Sequence, residues 1–358
     1  MPQYRRTHLK DLDPVLRVAW EAAQASDPSL SSPCFAWQFA TAVSEERPDV
    51  ELVVIEDGGR PIGLFPFQRR RWGAARPVGG VMSDFHGVVV APEADWNATD
   101  LLKSARVRAW QFDHLLACQK PWEHWHAATS GSPGIRLGGG YEAYVAERRM
   151  AGSKQIQKAE AMARKLEREV GPLRFEARST DKSAFATLLT WKSAQFRHSG
   201  APDLFAMRWS VGVLERIWQQ SGAMFAGMFS TLHAGDRLVA AHMGMRSPTV
   251  WHYWFPSYDH EVSACSPGIV LLHQMVKAAP GMGVTLIDLG KGDSFYKDRF
   301  ANCETLIAEG RAEVRSLASL WHGLLKQGEA MARANRFAMP AGIPMRLARR
   351  IEYRRRIL

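Results

Sequence analysis

The chain has 358 residues, 46% hydrophobic and 23% charged, the balance of a soluble globular protein of about two domains. Its net charge is +10, but residues 311–358 hold eleven Lys/Arg against three Glu, so the tail carries +8 and everything before it +2. No apolar run reaches the ~18–20 residues of a membrane span, the first residues lack a signal-peptide core, and Cys34, Cys118, Cys265 and Cys303 show no metal-ligand spacing; a cytoplasmic chain without a bound metal is expected.

Taken in chain order, "VELVVIEDGGRPIGLFPFQRR" (Val50–Arg70) is two β-rich runs about Asp57-Gly58-Gly59, the strongest short hairpin signal. "GVVVAP" reads as a further strand, "ATDLLKSARV" as a helix and "AWQFDHLLA" as a strand. A Gly/Ser/Pro-rich stretch, "TSGSPGIRLGGG", marks a boundary near Ser132. Beyond it, "GSKQIQKAEAMARKLEREVG" places Ile156, Ala159, Ala163, Leu166 and Val170 on one helical stripe, with Ser153 as N-cap and Gly171-Pro172 as its end. Helices are also expected over Ser183–His198 and Phe205–Gln220. The hairpin pattern then returns in Met224–Ser247, turning at Ala234-Gly235-Asp236, and is followed by the strand "VWHYWF", the helix "GIVLLHQMVKAA" and the strand "VTLIDLG".

Two copies of strand–turn–strand–strand–helix–strand predict an α/β (α+β) fold of two tandem units with mixed, mainly antiparallel sheets flanked by helices. The units span 1–132 and 133–310, and 311–358 form a basic helical tail. That tail offers contact to a membrane surface or a polysaccharide synthase; no nucleic-acid partner is expected.

The sequence carries no P-loop, GxGxxG, GxSxG or HExxH pattern. Chemistry concentrates after the second repeat. Ser266-Pro267-Gly268 opens a helix, and free amides at a helix start accept phosphate. Asp288, Gly290, Lys291, Gly292, Asp293, Tyr296 and Lys297 lie past a strand's C-terminal end, where ligands bind in α/β sheets. His242, His252 and Tyr253 occupy strands, and Lys192 a helix.

The stretch "AGDRLVAAHMGMRS…YWFPSYDHEVSACSPGIVLLHQMVKAAPGMGVTLIDLGKGDSFYKDRFAN", together with "FQRRRWGAARPVGGVMSDFHGVVV", resembles the GNAT-like acetyltransferase family linked to bacterial cellulose and exopolysaccharide synthesis (the CelD/BcsL type). That family is similar in turn to the Fem-type peptidyltransferases. The resemblance implies transfer of an acetyl or related acyl group from acetyl-CoA to an amine or hydroxyl of a small-molecule or saccharide acceptor. It places the donor along Leu238–Arg246, with Ala241 and Met243 beside it, and at Ser266, Pro267 and Gly268, with Lys291 and Lys297 holding phosphate. "SACSPG" departs from the usual phosphate loop in having one glycine and no arginine. Asp293 and His242 are the candidate bases and Tyr296 the acid for the departing thiolate. Asp84, His86, Lys192 and Tyr253 are the candidate substrate contacts. Two other functions fit the same resemblance: Fem-like aminoacyl transfer from charged tRNA, and a non-catalytic GNAT-like scaffold.

Overall fold

In the computed structural model, residues 2–292 and 295–314 are described. The predicted tail therefore lies almost wholly outside the described residues, as does Asp293.

The N-terminal half runs β1 (Gln3–His8), α1 (Pro14–Ser26), α2 (Trp37–Glu46), β2 (Val50–Asp57), β3 (Arg60–Arg69), β4 (Ala74–Arg76), β5 (Val89–Val90), α3 (Ala98–Ser104), β6 (Ala109–Leu116) and β7 (His126–Arg136). The remainder runs α4 (Gly140–Met150), α5 (Gln155–Glu169), β8 (Leu173–Glu176), α6 (Lys182–Ser199), α7 (Arg208–Gln219), β9 (Ala226–Ala234), β10 (Arg237–Arg246), β11 (Val250–Tyr258), α8 (Pro267–Ala278), β12 (Leu286–Asp288), α9 (Phe295–Phe300) and β13 (Cys303–Glu313). Both hairpins form where the sequence puts them. Gly58 and Gly59 take φ of 54° and 78°, the left-handed pair that a two-residue turn between twisted strands requires.

All the described strands join one mixed sheet in the order β1-β2-β3-β4-β6-β13-β7-β12-β11-β10-β9-β8, with β5 on β3. Helices cover it, and three apolar clusters form its core. One is built around Phe65, Trp110 and Trp122 of the N-terminal half and takes in Ala308 and Ala312 of β13. A second lies under α5 and α8 around Leu166, Trp251 and Leu271, with Ile135 of β7 joining it. The third unites Trp20, Phe39 and Val43 with Phe185, Leu214, Phe229 and Trp254. The halves thus share a core as well as a sheet. The boundary read between residues 132 and 133 falls inside β7, and β13 inserts between β6 and β7, so strands cross the division that composition suggested. α5 begins at Gln155 with Lys154 at the cap position, while the Ser153 hydroxyl accepts from the Gln155 N–H.

Candidate functional site

The site begins with a mismatch between two strands. β11 pairs with β12 in parallel over Val250–His252 only, although β11 continues to Tyr258. Past His252 that edge of β11 has no strand partner among the described residues. On its other edge, Met243 faces Phe255 and Met245 faces His252. Tyr253 and Trp254 therefore stand opposite Gly244 alone, which is a β-bulge on β11. The bulge frees the Trp254 N–H, and His242 Nε2 accepts it at 3.1 Å. Pro256, which has no N–H to give, lies two residues beyond, in keeping with an edge.

His252 points to the face of the sheet shared by both halves. Its Nδ1 lies 2.7 Å from Asp288 Oδ2, which the parallel register sets opposite it. Its Nε2 approaches Asp84 Oδ2 at 3.0 Å, out of line for a hydrogen bond but close enough for an ion pair. The imidazole is fully buried, the Asp288 side chain is 5% exposed and that of Asp84 24%. Burial opposes charge on His252, but the flanking Asp288 and Asp84 outweigh it and raise the ring's pKa well above the ordinary value. Burial likewise favours neutral Asp84. Its contacts with His252, helped by His114 and Lys297, nevertheless hold the carboxyl down at about 2. The result is a charged imidazole held between two acidic side chains, of which Asp84 is the one that reaches solvent.

Local structure fixes each member. The Asp84 loop is pinned to β6 by His86 N–H to His114 O and Leu116 N–H to His86 O, at 2.8 and 3.0 Å. Asp288 Oδ1 accepts from Gly290 N–H at 3.0 Å and Ser132 Oγ at 3.3 Å. Gly290 has φ +69°, and a Cβ there would stand 3.0 Å from Asp84 Oδ2; the residue must be glycine for the loop to pass the carboxylate. The buried Lys297 ammonium donates to the carbonyls of Gly290 and Lys291 at 2.9 and 3.1 Å. It clamps the loop and is not presented to a phosphate, as had been expected. Lys291 turns away too, 3.5 Å from Glu309 on β13.

The start of α8 is open in part. Ser266 adopts a left-handed conformation and its side chain caps nothing. Its carbonyl takes the N–H groups of Ile269 and Val270, Pro267 has none, and that of Gly268 finds no acceptor among the described residues. Lys165 of α5 reaches this corner, donating to Ala264 O at 2.9 Å.

Several expected site residues have structural work instead. Ala241 and Met243 are paired on both sides, to β9 and β11, and fully buried. The strand with the open edge is β11, one place further along the chain than Leu238–Arg246. His242 is fully buried, stacked 4.8 Å from Tyr253, and burial pushes its pKa down to about 3. It holds the bulge as a neutral acceptor, its Nε2 lone pair occupied by the Trp254 N–H and its ring closed off from solvent. His86 is likewise buried, bonded through Nε2 to Ser83 O and pushed to about 4. Tyr253 is buried, with Tyr296 edge-on to it at 6.4 Å. Burial raises the Tyr296 phenol to about 12. Lys192 donates to Pro256 O at 3.2 Å over the far end of β11, and burial, helped by Lys297, lowers it to about 8. Asp84 is the expected substrate contact that does join the central cluster. His252 and Asp288 are noted in the sequence without a catalytic or binding role; the register of "VWHYWF" against "LIDLG" is the signal that pairs them.

Among the comparisons with known proteins, residues 153–298 match the family described as acetyltransferase (GNAT) domain. The whole fold is similar to the crystal structure of FemX, at 9% identity over 89% of this chain and 99% of that one, with a TM-score of 0.57. It is also similar to a conserved protein of unknown function from Bacteroides thetaiotaomicron VPI-5482, at 10% identity over 88% and 100%, with a TM-score of 0.54. At such identities the likeness is one of fold. No curated protein matches the chain in sequence. The fold is a mixed α/β fold of that shape, and its residues 153–298, matching the acetyltransferase (GNAT) domain, carry β11, α8 and β12. Among the described residues no helix is long and apolar enough to cross a membrane.

Proposed function

We propose that the chain is an acyltransferase, moving an acyl group from a thioester donor such as acetyl-CoA to an amine or hydroxyl at Asp84. The observation that carries this is the Asp84–His252–Asp288 assembly lying where β11 and β12 part: His252 and Asp288 fall inside the region matching the acetyltransferase domain, and Asp84 reaches them from the N-terminal half. An extended donor fits the unpaired edge of β11 beyond His252, with the Gly268 N–H and Lys165 at the phosphate end. The acceptor attacks as a neutral amine or hydroxyl, the only forms with a lone pair to give. Nucleophilic attack makes the acceptor nitrogen or oxygen far more acidic than before, so even a carboxylate of low pKa takes its proton; His252 keeps its charge and fixes Asp84 in place. Tyr296, protonated at neutral pH, is the candidate donor to the departing sulfur. The resemblance seen in the sequence adds an expectation of exopolysaccharide-type acceptors, so an acceptor screen begins with amino sugars and polyols. In such an assay Asp84→Asn lowers kcat/KM by about 10²–10⁴ and leaves desulfo-CoA affinity unchanged. Failure of desulfo-CoA to bind, or full activity in Asp84→Asn, removes the proposal.

A further inference from the structure

The described strands contain two parallel pairings. One is β11 with β12; the other is β4 with β6, over Ala74–Ala109 and Ala75–Trp110. In both, a hairpin precedes the first strand and a helix, α8 or α3, lies in the connection to the second. Both pairs part after two or three residues. The gap between β4 and β6 opens into a cavity of about 580 Å³.

Its walls are basic. Arg70, Arg71, Arg76 and Arg311 line it against a single carboxylate, Asp113, whose Oδ1 already lies 2.9 Å from His114 Nδ1. Arg311 is paired with Glu313. Neither Arg70 nor Arg71 forms an ion pair among the described residues. Arg76 is buried at 8% exposure, and burial with the charges of Arg70 and Arg47 brings its pKa down to about 10. Like charges gathered in a partly desolvated cleft repel one another, and the opposing charge of Asp49 offsets this only in part, since Arg70 and Arg76 both remain lowered in pKa. At the rim Trp72 is 90% exposed and has φ of 64°. A non-glycine residue held left-handed costs about 1–2 kcal/mol, and here the strain keeps a large apolar ring in water beside the arginines.

We propose that the cleft between β4 and β6 is a second ligand site, binding a diphosphate through Arg70, Arg71 and Arg76 and covering the planar ring attached to it with Trp72. Guanidinium groups bind phosphate oxygens in pairs, and an indole stacks on a flat base. Nucleoside diphosphates and coenzyme A-type molecules share this chemistry. The site stands whether or not transfer occurs at Asp84.

The test is calorimetry on the full chain with pyrophosphate, ADP, UDP and desulfo-CoA, with tryptophan fluorescence read in parallel. Pyrophosphate binding is expected to weaken at least about tenfold in Arg70→Ala/Arg71→Ala, the loss of one charge-assisted contact or more. Trp72→Ala is expected to abolish the fluorescence change and the preference for a nucleotide over pyrophosphate, and Asp84→Asn to leave both intact. Two equivalents of desulfo-CoA, falling to one in the double variant, identify the coenzyme as ligand. Tighter binding of UDP or ADP, lost in that variant, identifies a nucleoside diphosphate. Absence of binding by all four probes, or affinities equal in the parent chain and the double variant, overturns the proposal. The acyl site is judged separately, by turnover and by the desulfo-CoA equivalent that survives in the double variant.

Discussion

His252 sits between a carboxylate that reaches solvent and one that does not, and its neighbours decide its charge. Removing the ring while keeping both acids leaves buried charge uncompensated, a change that costs about 3–5 kcal/mol; His252→Asn should show a loss of that order in urea unfolding at pH 7. The pH dependence follows from the directions of the shifts. The folded pKa of His252 is raised, so its contribution is complete below the unfolded value and disappears as pH rises through the folded one. Asp84 is lowered from 3.8 to about 2, so its contribution is complete above the unfolded value and is lost as pH falls toward 2. Stability should therefore decline on the acid side between about pH 4 and 2, and again as pH rises from the ordinary histidine range through the raised folded value of His252. His252→Asn should lack the alkaline limb attributable to this ring. An unchanged alkaline limb in that variant would show that the ring is not charged in the folded chain.

At the scale of elements, the bulge on β11 and the loop after β12 are the two devices that shape the site. His242→Ala leaves the Trp254 N–H without its acceptor, a loss of about 1–3 kcal/mol for the buried donor alone, measurable by denaturant titration. Gly290→Ala forces a side chain into a left-handed position against Asp84. It should reduce turnover with little change in desulfo-CoA affinity, since the Gly268 corner is untouched; equal turnover in the two chains would count against Asp84 as the reacting point. The hairpins, α6, α7, α8 and the strand before "LGKGD" were legible because each rests on local signals: Asp-Gly-Gly, helical periodicity, Pro at a helix start. The bulge was not, because it is a difference in register between two strands whose individual patterns look regular. That is why His242 reads as a candidate base while His252, on the neighbouring strand, receives no role.

The whole molecule behaves as one body because its halves share a sheet and the Trp20–Phe39–Trp254 cluster, with Arg216 of α7 tied to Glu45 and Glu46 of α2 at 2.5 and 2.7 Å. Calorimetry should accordingly give a single unfolding transition, and two resolved transitions would contradict a common core. Duplication was visible in the sequence as a repeated order of elements. The interleaving was hidden, since nothing in "CETLIAEGRAE" specifies that it pairs with residues nearly two hundred positions earlier. That placement of β13 between β6 and β7 has a consequence for biosynthesis. At roughly 5–20 residues per second, β6 leaves the ribosome on the order of ten seconds or more before the strand that covers its edge exists. The nascent N-terminal half must stay soluble with that edge bare, which makes β6 and β7 the natural place for a chaperone to hold the growing polypeptide.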